Sequence, residues 1–256
     1  MREGEKFENV MLTPFMKSVE FKRNIPPVSL KVSPGTPEEE KISGEVHYVE
    51  VLKQIHQTIK PSLYLEIGVR RGDSLFLSQC DSIGVDPDYQ IKWNIPQNFH
   101  LFRKPSDAFF REDAEKVIQK PVDLAFIDGM HLFEYVLWDF MNVEAFCHPG
   151  SIIVIDDIFP NHPLQATRER KTVHWTGDVW RLVPCLQKFR PDLNLTFINT
   201  EPTGLLVVSN LNPKDETLWK AYPEIESGAE QQGNDVPEEI IQRKHGVNPK
   251  GFTVSR

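Results

Sequence analysis

Cysteine is scarce in this chain. Cys80, Cys147 and Cys185 are odd in number and widely spaced, so no disulfide framework organises the fold. No two of them stand at the spacing of zinc ligands. Long apolar runs are missing as well: nothing approaches the roughly 20 residues of a membrane-spanning helix, and the opening "MREGEKFENV" has no apolar stretch of the secretory kind. Positive charge is short, with 29 Lys and Arg against 37 Asp and Glu for a net charge of -8. That balance argues against nucleic acid and against an anionic membrane surface as partners. A reducing, cytoplasmic setting is the expectation.

The 256 residues, 39% hydrophobic and 26% charged, suffice for one substantial core. Residues 1–45 hold five prolines and read as an irregular N-terminal arm. From Glu45 to Ile59, Val46, Tyr48, Val49, Val51, Leu52 and Ile55 fall near helical spacing. Strand-like runs then recur as "SLYLEIG", "SIGVDP", "HLFRK", "VDLAFIDG" and "SIIVIDD", mostly separated by helix-compatible segments. Such alternation predicts an α/β fold, a mostly parallel sheet with helices on both faces. "LNLTFIN" and "TGLLVVSN" are too close for a helical crossover and must pair antiparallel, giving seven strands with one antiparallel return. The polar tail, residues 211–256, is expected on the outside or against a neighbouring subunit, so a homo-oligomer stays open.

The chemistry concentrates at strand ends. "YLEIGVRRGDSL" leaves a buried run through Glu66, Gly68 and Gly72, glycines that permit close backbone approach ahead of a compact helix. The spacing is not the dinucleotide fingerprint G-x-G-x-x-G, which counts against a nicotinamide enzyme. An acid ahead of the glycines suits a cationic ligand with an amino group. Asp86, ending the second strand, can accept from both hydroxyls of a ribose. Asp128 ends the fourth strand, while Asp156 and Asp157 end the fifth. Neighbouring strands lie about 4.8 Å apart, so the three carboxylates can converge. Crowded carboxylates repel unless a cation neutralises them, and oxygen ligands favour Mg2+ or another hard divalent metal. One or more of them could equally cap a helix or order a loop.

His131 starts a helix whose stripe Phe133, Val136, Leu137 and Phe140 faces the core. It falls nearly opposite that stripe, near Glu134 and Trp138, and suits either a general base or a surface histidine. The following segment "NHPLQATRERKTVHWTGDVW" is long enough to cover a site. Arg168, Arg170, His174 and Trp175 are its candidates for contact with a polar or anionic substrate, and Asp178 is placed to cap the next helix.

In "LEIGVRRG", "GVDPD", "VDLAFIDGMH" and "GSIIVIDDIFP", taken in order, the sequence resembles class I S-adenosylmethionine-dependent methyltransferases from Glu45 to Asn210. The resemblance implies a Rossmann-like domain over residues 46–210 that binds S-adenosyl-L-methionine. By that analogy Gly68 lies beside the donor, Asp86 holds its ribose, and Ser106 and Asp107 in "KPSDAFF" sit near adenine. The carboxylates resemble those of the metal-dependent branch acting on sugars and natural products, including macrocin and macrolide-sugar O-methyltransferases and a cephalosporin hydroxylase-like group. Catechol-type enzymes carry Asp-Asn where this chain has Asp156-Asp157, which sides with the sugar branch. Macrolide-sugar enzymes use a histidine in a matching Asp-x-x-His arrangement, so His131 is the implied base; other members have an acid where this chain has Met130. The expectation is an O-methyltransferase for a small hydroxylated substrate. A metal-independent transferase, one acting on nitrogen, and a non-catalytic donor-binding protein are the rivals.

Overall fold

A computed structural model describes residues 32–231, 233 and 235–254. The expected N-terminal arm therefore lies largely outside the described residues; its last part, residues 32–45, runs without helix or strand. Helix α1 (Tyr48–Ile59) follows, with Val51, Leu52, Ile55 and Ile59 buried at helical spacing. The His47 ring accepts the Val49 N–H at its start, and left-handed Lys60 ends it ahead of Pro61.

Strands β1 (Leu63–Ile67), β2 (Asp81–Val85), β3 (Phe99–Phe102), β4 (Val122–Ile127) and β5 (Cys147–Ile155) are joined by parallel pairing. β6 (Asn194–Ile198) and β7 (Leu205–Ser209) complete one sheet of order β3-β2-β1-β4-β5-β7-β6. β7 is antiparallel to both neighbours and inserts between β5 and β6, the single return that the short connection demanded. The strand order reverses between β1 and β4, and such a switch point opens a crevice at the carboxyl edge of the sheet.

Alternation along the strands sorts the core into two layers. Leu65, Ile67, Ala125, Ile127, Ile153 and Ile155 face one layer. Tyr64, Leu124, Phe126, Ile152 and Val154 face the other, where α1 packs. The first layer takes α2 (Ser106–Glu112), α3 (Ala114–Val117), α4 (Phe133–Ala145), α5 (Leu182–Phe189) and part of α6 (Thr217–Gln231). A four-residue helix, α7 (Glu238–Ile241), follows.

Two sequence expectations change here. The helix expected after the Gly68 turn is a single 3-10 turn, Leu75–Leu77, because β2 starts too soon for more. And α4 has no solvent face of the expected kind. Trp138 is buried beside Trp219 and Tyr222, rings 5.2 and 6.1 Å away. The polar tail hides an apolar stripe, Leu218, Trp219, Tyr222 and Ile225, that closes over α4.

Candidate active site

Hydrogen bonding of the parallel ladder runs one residue beyond each strand. Gly68 N–H reaches the Val85 carbonyl, Asp128 N–H the Ile67 carbonyl, Asp156 N–H the Ile127 carbonyl and Asp86 N–H the Phe102 carbonyl. These bonds set the four residues side by side along the carboxyl edge, across the switch point. Gly68 has φ +91°, and a Cβ there would lie 1.9 Å from the Asp128 carbonyl oxygen. The glycine is thus required by the neighbouring strand end, independently of any ligand.

The structure brings together Asp128, His131 and Asp157, each offering a ligand atom within 4.8 Å of the others. His131 Nδ1 lies 2.7 Å from the Trp175 carbonyl oxygen and 2.8 Å from Asp157 Oδ2. Its Nε2 faces Asp128 Oδ1 at 3.5 Å, too long for a hydrogen bond. The expected carboxylate trio is therefore rearranged: His131 stands in the cluster, and Asp156 is not among its three members. Asp156 is buried and accepts the Asp157 N–H on Oδ1. Asp157 adopts φ 65°, which turns its side chain away from the strand direction toward His131.

Charge at the site is strained. Burial, and then the charges of Asp157 and Asp128, hold Asp156 well above the usual carboxylate range. Burial also raises Asp128, against the pull of His131. Burial opposes a charged imidazole, yet Asp157 and then Asp128 hold His131 well above its ordinary value.

The loop after β5 packs closely over His131. The Trp175 ring stacks on His131 with centroids 5.2 Å apart and planes within 9°. Gly177, at φ +54°, presses on the His131 carbonyl so closely that a Cβ would come within 1.6 Å of it. Gln165 donates to the Glu39 and Lys41 carbonyls, and the Glu40 carboxylate accepts the Val173 and His174 N–H groups. Burial works against ionised Glu40, but these backbone donors, with Gly35, hold its carboxyl below the usual range. Arg168, a candidate substrate contact, is committed to Glu134 and Asp178 at 2.6 to 2.9 Å. Asp178 makes no side-chain cap on the turn that follows it; it accepts the Phe133 N–H and caps α4 from a distance. Arg170 is turned to the Thr172 and Val173 carbonyls.

On the other side of Asp128, a cavity of about 90 Å³ is lined by Tyr48, Gly68, Arg70, Arg71, Asp73 and Asp128, among others. Glu66 does not reach it as a free acid. It is fully buried, accepts Tyr64 and Ser74 hydroxyls at 2.6 and 2.8 Å, and is pushed up to about 8 by burial. Gly72 N–H closes the turn on the Val69 carbonyl. Asp86 accepts the Arg70 and Asp88 N–H groups, one per oxygen, and is half-buried. Ser106 and Asp107 open α2 away from the cavity lining; Ser106 lies beside Asp139, and buried Asp107 lies 3.7 Å from Arg111. A larger groove of about 400 Å³ between α1 and residues 249–250 holds none of the candidate residues. Tyr48, Glu40 and Gln165 had no local sequence signal. Tyr48 reads as one apolar position of an amphipathic helix, and the other two act across 124 to 134 residues of chain.

No curated protein matches the chain by sequence. Solved structures with a similar fold include a putative O-methyltransferase from Klebsiella pneumoniae, 16% identical over 64% of this chain and 80% of that one, TM-score 0.48. An O-methyltransferase from Bacillus cereus in complex with SAH is 12% identical over 83% of this chain and 93% of that one, TM-score 0.48. MycE, a methyltransferase of the mycinamycin biosynthetic pathway in complex with Mg and SAH, is 16% identical over 66% of this chain and 50% of that one, TM-score 0.44. At these identities the likeness is one of fold. Residues 65–158, which include every sequence-predicted site residue from Glu66 to Asp157, match the family described as a methyltransferase domain.

Proposed function

We propose that this chain is an S-adenosylmethionine-dependent O-methyltransferase, assisted by a divalent cation, that acts on a hydroxyl of a sugar or another small hydroxylated natural product. The observation that carries it is the meeting of Asp128, His131 and Asp157 within 4.8 Å at two adjacent strand ends, beside the cavity at the Gly68 turn. The donor set fits a divalent cation. Two carboxylates and an imidazole converge, and the buried negative charge there is costly without one. Oxygen donors favour Mg2+, while the imidazole admits Mn2+. The acceptor class rests on the Asp128 and Asp156-Asp157 pattern of the sequence.

When bound, the cation supplies Lewis acidity toward an acceptor hydroxyl, and S-adenosylmethionine supplies an electrophilic methyl group. His131 does the proton work. Its Nδ1–H is donated to the Trp175 carbonyl with Asp157 alongside; Asp157 and Asp128, whose charges favour the protonated ring, would be engaged by the cation, and that would leave Nε2 to accept the hydroxyl proton. Trp175 and Gly177 hold the imidazole against the loop and keep water from one face of it. Asp86 keeps spare acceptor capacity toward a ribose beside the turn.

One observation favours a second role: His131 is itself one of the three converging residues, so Nε2 could be a cation ligand rather than a base. Calorimetric titration with Mn2+ separates the two. Expected is binding by the wild-type chain, loss in Asp157→Asn and retention in His131→Ala, with methyl transfer to a panel of sugars and polyols lost in both. Loss of Mn2+ binding in His131→Ala assigns the ligand role. Unchanged Mn2+ affinity in Asp157→Asn refutes the cation site.

A further inference from the structure

The tail after β7 is more than a cover. Beyond α7 it returns to the rim of the sheet, where the Val247 N–H bonds the Phe197 carbonyl and the Val247 carbonyl accepts the Asn199 N–H. β6 is the edge strand there, and its Ile198 pairs with Val247 in parallel. Two residues past α7, Arg243 takes φ 52° and sends its guanidinium into the turn between β6 and β7. Nη1 donates to Asn199 Oδ1 and to the Thr200 carbonyl, both at 2.9 Å. Nη2 donates to the Pro202 carbonyl and to Asn161 Oδ1, both at 2.7 Å. Four N–H groups are thus spent, three on the turn and one on the loop that follows β5. The remaining one, on Nε, is buried with no partner among the described residues.

Asn161 carries the contact onward. Its N–H and its side-chain amide both donate to Gln165 Oε1, at 2.8 and 3.3 Å, and the amide also reaches the Pro202 carbonyl at 3.0 Å. Gln165 is fully buried. Its carbonyl accepts the Thr176 N–H at 2.9 Å, the Gly177 N–H at 3.1 Å and the Thr176 hydroxyl at 3.1 Å. Gly177 in turn sits against the His131 carbonyl, while Trp175 meets the His131 ring both by stacking and through its own carbonyl. A continuous series of hydrogen bonds therefore joins the tail to the backbone that grips the imidazole. Each link is costly to leave unmade in a buried setting, so each holds the next in one place. Fastening the tail to the sheet edge accounts for the three bonds to the turn. The bond to Asn161 goes elsewhere, into the loop over His131.

We propose that Arg243 is a positioning residue for His131: from the C-terminal tail, through Asn161 and Gln165, it sets where Trp175 and Gly177 hold the imidazole. The guanidinium touches no reacting atom. Arginine is needed because its planar fork reaches several acceptors at once, whereas lysine brings the charge on a single nitrogen. The inference rests on His131 as the group that does the proton work, and it makes the tail part of the site.

Proton NMR of the histidine rings in the full chain tests this without a substrate. The His131 ring protons, assigned by their loss in His131→Ala, face the Trp175 indole and should resonate upfield of those of an exposed histidine. Arg243→Ala is expected to remove most of that shift, and millimolar guanidinium, far below denaturing concentrations, to restore it. Asn161→Ala should displace the same protons with no rescue, because Arg243 is still present. Arg243→Lys should remain displaced. The His148 ring, paired with Asp123 at the opposite edge of the sheet, should hold its position in every variant. An unmoved His131 ring in Arg243→Ala, a displacement that guanidinium does not reverse, or movement of His148 as well overturns the assignment. Methyl transfer to the panel of sugars and polyols should fall about a hundredfold in kcat in Arg243→Ala, with KM unchanged. A change in KM alone overturns the positioning role. A wild-type chain that transfers nothing to that panel counts against the proposed reaction, and the ring shift still decides Arg243.

Discussion

Replacing Glu66 by glutamine should make the protein more stable at alkaline pH and slightly less stable in mild acid. Glu66 is fully buried, and burial, opposed by hydrogen bonds from Tyr64 and Ser74, pushes its carboxyl from 4.5 up to about 8. Between those values the folded chain retains a proton that the unfolded chain has released. Folded protein therefore binds more protons than unfolded, and stability falls as pH rises through the window, levelling above the folded value. At about 1.4 kcal/mol per unit, the full shift corresponds to about 5 kcal/mol, an upper bound because buried sites relax around a charge. Glutamine does not titrate. It does carry an amide nitrogen that cannot accept a hydroxyl proton, so one of the two hydroxyl bonds is lost or reversed at a cost of about 1 kcal/mol. Urea unfolding of both proteins across the range reads the difference directly. Near about pH 5 the variant should lie about 1 kcal/mol below wild type, and near about pH 8.5 about 2–4 kcal/mol above it. Parallel stability curves across that range would refute the buried, proton-retaining carboxyl.

Two further substitutions probe the frame around the site. Gly68→Ala places a Cβ 1.9 Å from the Asp128 carbonyl at φ +91°; the strand ends must separate, at about 2–4 kcal/mol. Thermal unfolding should show the melting temperature lowered by roughly 5–15 °C, and an unchanged midpoint would contradict the close approach. Glu40→Ala removes the acceptor of the Val173 and His174 N–H groups. Their hydrogen exchange should accelerate by on the order of tenfold while the amides of α1 keep their protection, and equal exchange in both proteins would mean that the strap does not hold the loop.

The sequence alone determined the architecture and the inventory of acids. Fully buried parallel strands must be apolar runs, so β1, β4 and β5 were visible as such, and the short interval between β6 and β7 allowed only an antiparallel pair. Strand ends in a parallel sheet share one edge, which placed Gly68, Asp86, Asp128 and Asp156 together before any coordinate was known. Tertiary structure decided the rest, because side-chain direction and long-range contact are not local properties. The two-residue period puts Glu66 on the same face as Tyr64, under α1, where it is sealed. Of the adjacent pair Asp156 and Asp157, the left-handed backbone at the second selects which carboxylate meets His131. Trp175 joins that histidine from 44 residues away, and Glu40 holds the loop from more than 130. Pairings at such separations depend on how the layers pack, and a linear pattern carries no record of that.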